Sequence, residues 1–359
     1  MGTASRIRVI DLVDTQAGGD VSRIVLGGVG PLPGGSLMDQ VRFLERQADG
    51  LRRLLLAEPY GDPAMSIDLV LPPIHPQAQA GYIIMEAMGY PVYSGSNTLC
   101  TATALLESGR IAMQEGQQTL TLESPAGLVH ITAECRDGRV VAVSCEGAPA
   151  YVAGRDFSIT LADGTPIRFD VVFSGGFYSV IQAEPLGYQL SADEAPALAA
   201  LGHAFITAAR QQHTIQHPQL GDIGPLSFVH FAGPVEPIAA GQYASRSATY
   251  VHPGVICRSP TGTGTSARLA LMVADNQLHQ GESLETISLR GSRFRGTVAG
   301  VTTVAGQRAL RSTITGRAWT LAHSKIVVDL DDPLIDDQGL SRLLTEPFSG
   351  SALTPPLRL

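Results

Sequence analysis

Two short stretches of small polar residues carry the residue types best suited to chemistry: Ser94-Gly95-Ser96-Asn97-Thr98 and, far along the chain, Thr261-Gly262-Thr263-Gly264-Thr265. Each opens an apolar run, and the match continues without a gap through Leu105 and Leu106 against Met272 and Val273. A tight turn of such residues followed by an N-cap leaves the first helical N–H groups unpaired and pointing outward. Two such turns set face to face predict a cleft that holds one small anion, with a hydroxyl at the lip on each side. The chemistry that suits this arrangement is carbon-acid chemistry at the α-carbon of a carboxylate, approached from opposite faces. Without chemistry, the same repeat is two N-capped core helices in a duplicated fold.

The elements that must position these turns follow from periodicity. Apolar runs such as Ile7 to Val13, Ser66 to Leu71, Gly81 to Met85 and Thr119 to Thr121 predict strands broken by Gly and Pro turns. Leu37 to Leu56 predicts one helix, with Arg42, Arg46, Arg52 and Arg53 as its solvated face. The helix from Asn97 to Gly109 has no charge before Glu107, so sheet is expected to wrap it on all sides. Strands at Leu128 to Ala133 and Val140 to Ser144 follow, joined by the turn Asp137-Gly138.

The pattern then restarts: Asp170-Val171-Val172 before Gly175 and Gly176 echoes Asp11-Leu12-Val13 before Gly18 and Gly19. A surface helix from Ala192 to Gln212 precedes the second motif helix, and strands from Ser283 to Asp329 close that half. Each half therefore suits a sheet curled around one buried helix. The expected division is residues 1–162 for the first lobe and 163–334 for the second, with the tail 335–359 returning to the first.

Composition narrows the function classes. The chain has 359 residues, of which 44% are hydrophobic, enough for two domains of ordinary size. A formal charge of −8 and the absence of a Lys/Arg-rich run argue against nucleic acid or an anionic membrane as partner. No segment has signal-peptide or membrane-spanning character, so the cytoplasm is the expected location. Cys100, Cys135, Cys145 and Cys257 show no C-x-x-C spacing, and predict neither a zinc site nor a disulfide framework. His213 and His217 stand four apart, but Pro218 follows and no acidic or cysteine ligand is near, so no metal is expected. His252 and His323 read as loop or strand residues rather than bases. The sequence is silent on oligomeric state, and a homodimer is kept as an expectation.

At its motifs the chain resembles the proline racemase superfamily, which includes proline racemase, 4-hydroxyproline 2-epimerase and trans-3-hydroxyproline dehydratase. The most specific segment is Arg258-Ser259-Pro260-Thr261-Gly262-Thr263-Gly264-Thr265-Ser266-Ala267-Arg268. Supporting segments are Asp14-Thr15 through Gly19 with Arg23, Leu51-Arg52-Arg53 with Glu58-Pro59, and Gly316-Arg317-Ala318 with Asp331-Asp332-Pro333-Leu334. The resemblance implies an α/β, two-lobed diaminopimelate epimerase-like fold, with the active site between the lobes and no cofactor. In the racemases and epimerases two cysteines flank the substrate α-carbon; here those positions are Ser94 and Thr261.

That departure bears on mechanism. A cysteine ionises near pKa 8.5, while water ionises near 15.7 and an aliphatic alcohol is of that order. The gap of roughly 7 pKa units corresponds to about 10 kcal/mol of extra cost for making the base. The family dehydratases carry threonine at the second position, and loss of water needs only one base at the α-carbon. Thr261 therefore tilts the reading toward dehydration. Ser96 replaces the family's motif histidine, and Cys257 replaces the Asp that contacts the substrate's ring nitrogen. Gln16 stands where the family often has histidine. Cys257 itself, with no His or Lys beside it, reads as a buried spectator rather than a reactive thiol.

The resemblance thus assigns Ser94 and Thr261 as catalytic, with Gly95, Ser96, Asn97, Cys257, Gly262, Thr263 and Gly264 around the substrate. The expected partner is a small, hydroxyproline-like imino acid. Three functions stay open: cofactor-independent dehydration of trans-3-hydroxy-L-proline to pyrroline-2-carboxylate, a 4-hydroxyproline 2-epimerase or proline racemase-like isomerisation, and a divergent imino-acid-binding protein without chemistry.

Overall fold

The computed structural model describes residues 6–218, 221 and 225–345. The first half runs β1 (Ile7–Ala17), β2 (Asp20–Gly27), α1 (Leu37–Gln47), α2 (Gly50–Leu55), β3 (Ser66–Leu71), β4 (Ala80–Met85), α3 (Gly95–Glu107), β5 (Gly116–Ser124), β6 (Gly127–Arg136), β7 (Arg139–Glu146) and β8 (Tyr151–Thr160). The second runs β9 (Pro166–Phe173), β10 (Phe177–Gln182), α4 (Ala195–Gln212), β11 (Phe228–Ala239), β12 (Gln242–Val251), β13 (Val255–Ile256), α5 (Gly262–Ala274), β14 (Ser283–Ile287), β15 (Arg293–Val304), β16 (Gln307–Gly316) and β17 (Ala318–Asp329). A short α6 (Leu340–Leu343) follows.

Strand pairing repeats between the halves. β1 is antiparallel to β2, β2 parallel to β3, β3 antiparallel to β4 and β4 parallel to β5, after which β5, β6 and β7 form an antiparallel meander. The same order of senses recurs from β9 through β10, β11, β12, β14 and β15 to β16. Apolar residues all round α3 and α5 suit helices enclosed by these curled sheets. Leu99, Leu105 and Leu106 of α3 are buried in one core with Val13 of β1, Leu120 of β5 and Ile131 of β6, while Leu269, Leu271 and Met272 of α5 are buried in another with Leu284 of β14 and Val298 of β15. Each such side chain contributes about 1.5–3 kcal/mol by leaving water. Glu107, the first charge on α3, accepts from Val140 N at 3.1 Å and Thr320 Oγ1 at 2.6 Å.

The last strand of each half crosses over. β8 pairs with β9, and β17 pairs with β1 along its whole length, so the strands expected to end the first and second lobes each join the other. The reason is local. Only Arg317 separates β16 from β17, too little for a hairpin, so the chain runs on to the open edge of β1. Between β7 and β8, Pro149 has no N–H to give a ladder. β7 and β16 pair with each other and join the halves.

The single helix expected over Leu37 to Leu56 is two, α1 and α2. The chain breaks at Ala48 and Asp49, and Gly50 N donates to Gln338 O at 3.1 Å. Arg52 is not solvated as expected: it lies against the Asp49 carboxylate and donates to Glu86 O at 3.0 Å. Leu340, Leu343 and Leu344 share the core of α1 and α2, and residues 346–359 of the expected returning tail lie outside the described residues. Among the described residues, no helix is long and apolar enough to cross a membrane. α4 ends at Gln212, so His213 and His217 do not share a helix face.

Candidate active site

The two motif turns meet. Ser94 is the N-cap of α3 and Thr261 that of α5, and neither side chain caps its own helix. The helix starts are held alike: Thr98 N and Oγ1 donate to Ser94 O at 3.0 and 2.8 Å, and Thr265 N and Oγ1 donate to Thr261 O at 3.0 and 2.7 Å. Between them Gly95 and Gly262 touch, since a Cβ on Gly262 would stand 3.3 Å from Gly95 Cα. Two positive helix ends therefore converge on one place, the condition for binding a carboxylate on backbone N–H groups.

A cavity of about 140 Å³ opens there, lined by Ser94, Ser96, Asn97, Cys257, Thr261, Gly262 and Thr263 among others. It is smaller than a pocket for a drug-sized ligand. Of the residues expected around a substrate, Gly95 forms the helix-to-helix contact behind the wall. Gly264 lies beneath Thr261, where a Cβ would overlap Thr261 Oγ1 and His230 Nδ1. Thr261 itself has φ +60, a left-handed backbone that a β-branched residue adopts only when its surroundings enforce it.

The polar groups around the two hydroxyls differ. Ser94 Oγ donates to Asn97 Oδ1 at 2.7 Å and stands 3.3 Å from Ser96 Oγ. Asn97 Nδ2 donates to the buried Asp68 Oδ1 at 2.8 Å, and Thr101 Oγ1 lies 3.0 Å from Asp68 Oδ2. Burial pushes Asp68 up to about 8 against the lowering effect of those hydrogen bonds. On the other side Thr261 Oγ1 lies 2.9 Å from Thr249 Oγ1, which lies 3.0 Å from His230 Nδ1. His230 is fully buried, and burial holds its ring neutral down to about 3.

One wall of the cavity is acidic. Asp20 and Glu86 stand there with Cys257. Asp20 accepts from Arg258 N at 2.7 Å and Ser259 N at 3.2 Å, tying the β1–β2 turn to the second motif. Burial and then the Asp20 charge push Glu86 up to about 7. Burial, then Asp20 and Glu86, hold the Cys257 thiol well above its ordinary value, so it stays protonated; it is half-buried on the wall rather than a buried spectator. Gln16 accepts from Gly19 N at 2.7 Å and closes the turn. Tyr178 stacks on Phe228 and its hydroxyl pairs with Thr263 Oγ1. His252 also lines the cavity, held below its ordinary pKa by burial first and by Arg210 and His203 after it, whereas His323 is exposed on β17.

Sequence reading missed Asp20, Glu86, Asp68, Thr249, His230 and Tyr178. A signal existed for three of them: Asp68, Glu86 and His230 are polar residues within or ending strands of otherwise apolar character, where a buried polar group needs a partner. Among the described residues no three His, Cys, Asp or Glu side chains are grouped to hold a metal ion.

The family model described as proline racemase matches residues 12–339. The chain belongs to the proline racemase family. A 4-hydroxyproline 2-epimerase of Agrobacterium fabrum is 36% identical over 331 residues, 92% of this chain and 94% of that protein. A protein of Marinobacter nauticus is 53% identical over 336 residues, 94% of this chain and 96% of its own length. Among solved structures, a hydroxyproline epimerase from Agrobacterium vitis with bound trans-4-OH-L-proline superimposes with a TM-score of 0.84 at 35% identity, covering 93% of this chain and 98% of that one. The two-lobed α/β architecture is thus that of the proline racemase family, and two of the three relatives named here are epimerases by name.

Proposed function

We propose that this protein removes and replaces the α-proton of a hydroxyproline-like imino acid, without a cofactor, and that its reaction is epimerisation at C2. The observation that carries this reading is the contact between the two helix starts, which sets Ser94 and Thr261 on one cavity. The relatives named for 4-hydroxyproline 2-epimerisation support the substrate class. The substrate carboxylate would lie on the N–H groups after Gly95, Ser96, Gly262 and Thr263. Charge moving onto its oxygens as the α-proton leaves is stabilised there. Ser94 stands at the face the proton leaves and Thr261 at the opposite face. For Ser94 to take the α-proton its own proton must first pass to solvent through the cavity, leaving an alkoxide at the positive end of α3. Asp20 and Glu86 take the ring ammonium, standing in for the acid that Cys257 replaces. The four cysteines are unpaired, which supports a reducing compartment such as the cytoplasm.

A second reading, dehydration of trans-3-hydroxy-L-proline, is favoured by Thr261 at the second position, since elimination needs a single base at Cα. An NMR screen of proline and hydroxyproline isomers in D₂O separates the two. Epimerisation gives solvent deuterium at Cα with the C2 epimer and an intact hydroxyl; dehydration gives loss of the hydroxyl. A protein that binds pyrrole-2-carboxylate yet exchanges no α-proton in any isomer is a binding protein, and the enzyme reading fails.

A further inference from the structure

The side chains behind the two cavity hydroxyls set the direction in which each hydroxyl points its proton. On the Ser94 side the chain ends at Asp68, in the middle of β3 and fully buried. Its Oδ1 faces the Asn97 amide, and its Oδ2 faces Thr101 Oγ1. Because Asn97 Nδ2 donates to Oδ1, a proton carried by Asp68 lies on Oδ2, toward Thr101, and Oδ1 receives a hydrogen bond in either charge state. Asn97 must then turn its NH₂ to Asp68 and its carbonyl to Ser94. The Ser94 proton is committed to Asn97, so Ser94 Oγ is left to accept, from Ser96 Oγ at 3.3 Å and from the cavity.

On the Thr261 side the chain ends at His230, whose Nε2 has no hydrogen-bond partner. A neutral imidazole carries one N–H and one lone pair. An orphaned buried N–H is rarer than an under-satisfied acceptor, which places the lone pair on Nε2 and the proton on Nδ1. His230 Nδ1 then donates to Thr249, Thr249 donates to Thr261, and the Thr261 proton is turned toward the cavity. Gly264 makes room for this chain, because any side chain there would overlap both ends of it.

We infer that the two buried chains give the cavity hydroxyls opposite roles: Asp68 through Asn97 holds Ser94 as a hydrogen-bond acceptor, and His230 through Thr249 holds Thr261 as a donor. Asp68, Thr249 and His230 are positioning residues, since none touches the cavity. Thr261 thereby faces the acid as a proton donor, with two further donors lined up behind its oxygen. This assignment deepens the proposed α-proton chemistry and rests on it for its catalytic meaning, although the hydrogen-bond directions are measurable without any activity.

The test has two arms. Long-range ¹H–¹⁵N NMR on the full chain, with His230 assigned by comparison with His230→Gln, should show a neutral ring with its proton on Nδ1 from pH 5 to 8. An Nε2–H ring, or an imidazolium at pH 7, overturns the inference whatever the enzyme does. In the second arm, Thr249→Val removes the link while keeping the side chain's shape, and Thr249→Ser restores the hydroxyl. Thr249→Val should lower turnover at least 10-fold while α-proton exchange with D₂O continues, and Thr249→Ser should recover most of the loss. Equal losses of exchange and turnover in Thr249→Val, unrecovered by Thr249→Ser, mark a merely structural role and overturn the inference. If wild type exchanges no substrate, the reading of the reaction fails, and the NMR arm alone decides the directions.

Discussion

Glu86 is held by burial at about 7 on the cavity wall, so its charge is set within the physiological range. As pH rises through 7 it ionises, and attraction for a ring ammonium strengthens. KM for hydroxyproline should therefore fall as pH rises from 6 to 8. Glu86→Gln should remove that dependence and raise KM about 10-fold, yet leave binding of pyrrole-2-carboxylate, which carries no ammonium, within 2-fold by calorimetry. Equal weakening of both ligands would remove Glu86 from ammonium recognition. Asp68 makes a prediction about stability instead. Its carboxyl is raised from 3.8 to about 8 in the folded chain, so this group favours folding fully below pH 3.8 and loses that contribution as pH rises toward 8. Between pH 5 and 7 the folded state holds one more proton here, worth about 1.4 kcal/mol per pH unit. Urea unfolding at pH 5, 6 and 7 should show Asp68→Asn with a stability-against-pH slope less negative by about that amount, and an unchanged slope would place the Asp68 acidity near normal. Asp68 and Glu86 stand out in the sequence as polar groups that need a partner, but not as part of the site, because nothing in a strand such as Ser66 to Leu71 says which helix its one charged residue will face. Ser94 and Thr261 were legible because a small polar turn before an apolar helix has a meaning of its own.

At the scale of elements, the account stands on two helix ends that meet at Gly95 and Gly262. Gly95 and Gly264 are tested by the same substitution with opposite results expected. In Gly95→Ala the new Cβ meets Gly262 Cα at 3.4 Å, an ordinary contact, so stability should stay within about 1 kcal/mol, in the range of a helical Gly to Ala change. In Gly264→Ala the Cβ overlaps Thr261 Oγ1 and His230 Nδ1, and overpacking should cost about 1–3 kcal/mol. Chemical denaturation of the two variants separates them, and a neutral Gly264→Ala would contradict the packing of His230 under α5. Strands β1, β3, β4, β6 and β7 and both central helices were readable from periodicity and turn residues, whereas β2, β8, β11 and β12 were not named. The break between α1 and α2 was not, because its partner is the backbone of Gln338, distant in sequence. The crossing of β8 and β17 was also hidden: alternation tells which face of a strand is buried but not which neighbour it pairs with. We propose, from that pairing, a division in which the described residues of 150–316 form one lobe, and residues 6–146 with 318–345 form the other.

For the whole molecule, the crossed strands tie each lobe to the other, and the cavity lies where the two enclosed helices meet end to end. Composition foretold a two-part chain of low charge, while the family motifs foretold that the parts would face each other. What neither foretold is the supporting structure: Asp20 and Glu86 on the same cavity as the paired helix N-termini, and a separate buried chain behind each hydroxyl. The proposed zwitterionic substrate would set its carboxylate on the helix ends and its ammonium on that wall. The most direct measurement is a crystal structure with pyrrole-2-carboxylate bound. Its carboxylate should accept from backbone N–H groups of both α3 and α5, with Ser94 Oγ and Thr261 Oγ1 on opposite faces of the ring. A ligand seated away from the Gly95–Gly262 contact, or one with both hydroxyls on the same face, would contradict the account.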